Sequence, residues 1–62
     1  MSEFIKSQHE LRNTLIIQVR EVLDSAETEG RGLDQADIAK INLIEADIAK
    51  ADETISVAQR SE

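Results

Sequence analysis

An all-α fold is predicted: an antiparallel two-helix hairpin of the coiled-coil kind that self-associates into a bundle. Three observations predict it. Both glycines fall in Glu29-Gly30-Arg31-Gly32, close to mid-chain. Long proline-free stretches of good helix formers lie on either side. On each side apolar residues recur three and four positions apart, the period of a helix that buries one stripe. The organisation that follows is a single hairpin over residues 1–62, with a helix over about 2–28, a turn over 29–34 and a helix over about 35–60.

The first helix is expected to open at Ser2, an N-cap residue, with Glu3 in the first turn where a negative charge suits the helix dipole. Leu11, Leu15, Val19, Val22 and Ala26 recur at four, four, three and four residues and form its predicted seam. Val and Ile favour strands, but the polar positions around Leu15 to Val19 show no period of two, so helix is preferred. Gly30 or Gly32 supplies the left-handed conformation that closes a helix C-terminus.

The second helix carries sharper signals. Asp34 is an N-cap candidate, Asp37 is a shorter stand-in for the Glu of a capping box, and Leu33 with Ile38 has the spacing of a hydrophobic staple. Ile41, Ile44, Ile48, Ala51, Ile55 and Ala58 then follow at three, four, three, four and three. That is an unbroken heptad seam.

Helices joined by so short a turn must lie antiparallel. Counting outward from the turn sets Val22 beside Ile41, Val19 beside Ile44, Leu15 beside Ile48 and Leu11 beside Ala51, with Phe4 or Ile5 beside Ala58. The hairpin seam is thus assigned to Leu11, Leu15, Val19, Val22, Ile41, Ile44, Ile48 and Ile55, and the turn to Gly30, Arg31, Gly32 and Asp34. Not all apolar surface is used. Leu15, Ile16 and Ile17 point about 100° apart, so one partner helix cannot cover all three. Ile5, Ile16 and Leu23, eleven and seven residues apart, form a second stripe, assigned to contacts between subunits.

Composition bounds the function. A chain of 62 residues buries only about 60% of its unfolded surface and is marginal as a monomer. It has no cysteine to staple it, and the lone His9 cannot build a zinc centre. Seven Lys and Arg against thirteen Asp and Glu give a net charge of −6. The basic residues are scattered singly, which argues against nucleic acid and against an anionic membrane surface as partners. An RNA-binding four-helix bundle would share the architecture but needs a basic face. No apolar run approaches the ~20 residues of a membrane span, and Met1 to Glu10 carries charges where a signal peptide has its apolar core, so a cytosolic setting is expected.

No residue is assigned to catalysis, to a cofactor or to a metal. There is no elbow-glycine serine motif and no pair of histidines at metal spacing. Gly30-Arg31-Gly32 lacks the preceding strand of a phosphate loop and reads as a turn. A non-enzymatic protein with no small-molecule substrate is expected. Ala-Asp-Ile-Ala-Lys occurs at 36–40 and again at 46–50, but ten residues is not a helical repeat, and coincidence accounts for it.

The run Glu29-Gly30-Arg31-Gly32-Leu33-Asp34, continued by Ala39-Lys40-Ile41, Ile44-Glu45-Ala46, Ile48, Asp52 and Ile55, resembles the N-terminal delta (scaffolding) domain of tailed-bacteriophage major capsid proteins of the HK-ninety-seven-like fold. The resemblance spans roughly Leu11 to Ile55. Asp34 stands where the family tends to have Thr, Ile41 where Phe is frequent and Ala51 where Leu is frequent, which thins the seam. The capsid fold itself lies outside these residues. The resemblance therefore implies an excised delta domain or a stand-alone small protein on the same hairpin. It further implies an assembly role, with self-association and capsid subunits as partners, in the host cytoplasm and the interior of the viral procapsid. The other reading of the residues is a free-standing coiled-coil adaptor or small regulator that binds a helix of a partner protein.

Overall fold

The structure, a computed structural model, describes residues 2–62; Met1, the first residue of the predicted hairpin, lies outside them. Two helices account for most of it, α1 over Glu3–Thr28 and α2 over Gln35–Ser61, with no strand among the described residues. They pack side by side as a hairpin. The result is a thin rod of 46 × 17 × 10 Å with a radius of gyration of 14.4 Å. A compact globule of this length would measure about 10.5 Å. One pair of helices forms a seam but encloses no interior.

Each helix end is set by local chemistry. Ser2 has extended backbone, and its Oγ accepts from the amide of Ile5 at 3.1 Å, capping α1. At the far end the amide of Gly30 donates to the carbonyl of Glu27 and that of Arg31 to the carbonyl of Ala26, both at 3.0 Å. This is the Schellman pattern, and it needs a left-handed residue at Gly30. Gly30 has φ +66°, whereas Gly32 does not lie in the left-handed region. Of the two candidates from sequence, Gly30 therefore closes α1.

A Cβ on either glycine would meet nothing within 4 Å, so backbone strain alone separates them. Gly30→Ala is expected to destabilise the hairpin by ~1 kcal/mol, while Gly32→Ala is neutral or slightly stabilising because it restricts the unfolded chain. Thermal melts followed by circular dichroism check this; equal losses at both positions would contradict it.

The start of α2 is capped twice over. Asp34 Oδ1 accepts from the Asp37 amide at 2.8 Å, and Asp37 Oδ2 accepts from the Asp34 amide at 3.1 Å, a capping box built from two aspartates. Leu33 and Ile38 are each 40% exposed, so any staple between them is only partly covered.

Arg31 then binds the turn together. Its Nη1 donates to Asp37 Oδ2 at 2.6 Å and to the Gly32 carbonyl at 3.0 Å, and its Nε donates to Glu29 Oε1 at 3.0 Å. Asp34 Oδ2 lies 3.8 Å from the same Nη1. The bond from Arg31, aided by the Asp34 amide, holds the Asp37 carboxyl below its ordinary value, and the bonds from Asp37 and Glu29 raise the Arg31 guanidinium. Because the Asp37 value is lowered on folding, its contribution is complete above the unfolded value of 3.8 and fades as pH falls through the folded one.

Ile5, Leu15, Val22 and Ala26 of α1 and Ile44, Ala51 and Ile55 of α2 are buried, with no buried polar residue among them. Val19, Ile41, Ile48 and Ala58 are half-buried on the same seam. In α2 the covered positions are those of the predicted heptad. In α1 they are not, and two assignments are corrected. Leu11, placed on the seam from its spacing to Leu15, is 46% exposed, and Ile5, placed on the stripe between subunits, is 1% exposed.

One frame explains both corrections. Ile5, Gln8, Arg12, Leu15, Val19, Val22 and Ala26 alternate at three and four residues, the 3.5-residue repeat that keeps a seam facing its partner. Two successive steps of four, from Leu11 to Leu15 to Val19, drift off that repeat. Gln8 and Arg12 occupy the intervening core positions, and both are half-buried.

Candidate interaction surfaces

Arg12 sits at a core position of α1, yet it is charged. It is half-buried there, and its Nε donates to Asp52 Oδ1 at 2.5 Å, an arrangement open to a long side chain that can cover apolar surface with its stem and keep its head wet. This pair crosses the hairpin and fixes its register: Ile16, four residues on, is level with Ile48, four residues back. Side-chain exposures of 37% and 50% make it a half-solvated pair, worth ~0.2–1 kcal/mol at most.

Arg12→Leu is accordingly expected to raise stability by about 1 kcal/mol, since a leucine there buries more apolar area and Asp52 is left in water rather than stranded. A lowered melting temperature would contradict the placement of Arg12 on the seam. In the wild-type chain the pair ties α1 to α2 at one level of the rod.

A hairpin one layer thick has two broad faces, and the seam residues leave apolar surface on each. On the first face Phe4, Leu11 and Val57 are 55%, 46% and 43% exposed and line two adjoining grooves of about 420 and 490 Å³ with Thr54 and Lys50. Ala51 and Ala58 form part of the floor, their small side chains leaving the hollow. The charged residues along these grooves, Asp47, Lys50 and Glu53, all belong to α2.

The second face carries the Arg12–Asp52 pair and a groove of about 230 Å³ lined by Ile16, Val19, Arg20, Leu23, Glu45 and Ile48. Ile16 and Leu23 of the predicted stripe thus share one face, Ile16 half-buried and Leu23 45% exposed. Ile5 does not join them, being covered within the hairpin. Charge lies on both walls, Arg20 on α1 and Glu45 on α2, and neither takes part in an ion pair among the described residues.

The remaining apolar residues are dispersed. Leu43 is 71% exposed and Ile17 56%. Among the described residues no group of three or more His, Asp or Glu side chains is placed to hold a metal ion. No described helix is long and apolar enough to cross a membrane.

The fold and its surfaces define a class, a thin helical hairpin with two part-apolar faces. No family model, curated protein or solved structure matches the chain.

Proposed function

We propose that this chain is a non-enzymatic assembly module, a hairpin that brings together the larger subunits it is joined to by associating with copies of itself. The observation that supports the reading is the surplus of apolar surface over what the hairpin covers. Among the described residues seven are buried, whereas eight large apolar side chains stay 40% or more exposed. Scattered exposed residues are ordinary on a globular protein, but here four of the eight, Phe4, Leu11, Leu23 and Val57, line grooves on both broad faces of a rod only 10 Å thick.

Association of isolated copies is weak for so small a surface. Tethered copies are a different case, since a linker supplies millimolar effective concentration and converts weak contacts into a firm one. That is the behaviour a scaffold needs. Together with the resemblance of roughly Leu11 to Ile55 to phage delta domains, it points to procapsid assembly, with the hairpin in the shell interior before maturation.

The test is to produce a phage coat subunit with residues 2–62 of this chain fused before it, and the same subunit without them, and examine the particles by electron microscopy. Closed shells of uniform size with the hairpin, and aberrant or absent shells without it, are expected. Uniform shells in its absence would contradict the proposal and turn attention to the adaptor reading. One observation favours that alternative: the grooves beside Phe4, Leu11 and Val57 have the volume to take the side chains of a partner helix.

A further inference from the structure

We infer that the face bearing Ile16, Arg20, Leu23 and Glu45 docks a second copy of this chain, turned about the long axis of the hairpin so that α1 of each lies on α2 of the other. The inference rests on the self-association proposed above and specifies its geometry.

Levels along the rod decide which residues meet. Arg12 is bonded to Asp52, so Ile16 is level with Ile48, and Arg20 lies within one residue, about 1.5 Å, of the level of Glu45. A half-turn about the long axis keeps every level and exchanges the two walls of the groove. It places Ile16 over the second copy's Ile48, and Arg20 over its Glu45. By symmetry each contact occurs twice, as a closed two-fold interface requires. Neighbouring helices in the resulting four-helix bundle all run antiparallel.

Charge selects this arrangement. Two chains of net charge −6 repel at a distance, so a docking face needs local attraction. A half-turn about an axis crossing the helices at the groove would set Arg20 over Arg20 and Glu45 over Glu45. The opposite broad face offers no such pairing, because Asp47, Lys50 and Glu53 would be set over the uncharged Phe4, Gln8 and Leu11. The area also fits. A face of 46 × 17 Å is about 800 Å², the share each partner contributes to a standard protein interface.

The experiment uses two variants, R20E and E45R, studied alone and mixed. Each alone sets like charges together twice and is expected to dimerise ~10-fold more weakly than the wild type. Mixed in equal amounts they form a heterodimer in which both contacts are of opposite charge, and sedimentation velocity should show association restored to near the wild-type level. A charge pair within one chain cannot produce that result, since neither variant carries it. Circular dichroism of each variant at about 10 μM, where the wild type is still monomeric, is expected to match that of the wild type because both positions are exposed, and confirms that the hairpin is intact. Wild-type dimers with a mixture no better than its components would overturn the docking face and leave self-association standing. A wild type that stays monomeric up to ~1 mM would overturn both.

Discussion

Ile44→Asp is expected to abolish the helical circular dichroism signal of the isolated chain. Ile44 is 7% exposed at the middle of the α2 seam, facing the level of Val19 and Val22. A carboxylate there must either be desolvated without a partner or be protonated at a cost in free energy, and the packing of the isoleucine side chain is forfeited as well. Arg20, on the flank of the same level, cannot reach into the seam without opening it. The total stability available to a chain of this length is ~3–9 kcal/mol, and an uncompensated buried charge removes several of them. A melt at neutral pH would show loss of the cooperative transition. A variant that kept the wild-type transition would mean that Ile44 lies at the surface.

Ile5→Ala is the second large effect, and it separates the heptad frame seen in the structure from the one that spacing alone suggests. Ile5 is the most deeply covered large side chain of the described residues, at 1% exposure, and truncating it leaves a cavity beneath the first turn of α1. A loss of ~2–4 kcal/mol is expected. Leu11→Ala, at a residue 46% exposed, is expected to cost less than ~1 kcal/mol in the same chain. Denaturant titrations of the two variants side by side decide the matter. Equal losses, or a larger loss at Leu11, would restore the Leu11 seam.

What was legible in the sequence was what local chemistry determines. Ser2, Gly30 and Asp34 end or begin helices through groups within six residues of themselves, so their roles are readable from neighbours alone. The α2 seam was legible because every one of its heptad positions from Ile41 to Ala58 is apolar.

The α1 seam was not legible, because two of its positions are polar. A search for apolar residues passes over Gln8 and Arg12, lands on Leu11, and thereby frees Ile5 for a stripe it does not belong to. The signal was present in the strict alternation of three and four from Ile5 to Ala26, which has to run through Arg12. Recognising it requires allowing a long charged side chain to lend its stem to a core. Its partner Asp52 lies forty residues away and has no local spacing to announce it. The same is true of Arg31, whose position in the turn was evident but whose bonds to Glu29 and Asp37 depend on how the turn folds.

These features share a physical origin. Two helices can cover one stripe each, and a sequence with apolar residues on more than one stripe leaves the rest exposed. The Arg12–Asp52 pair ties the two helices together at one level, and under the proposed self-association the surplus apolar surface is what copies bury together. Stability and association are then linked, since anything that binds only the folded hairpin raises its population.

Sedimentation equilibrium of the wild-type chain, from about 10 μM to about 1 mM, tests that link most directly, over the range in which weak association becomes populated. The weight-average mass is expected to climb from the monomer's 6.9 kDa toward twice that value, with helical signal rising in step. A mass fixed at 6.9 kDa throughout, with helicity independent of concentration, would contradict the account.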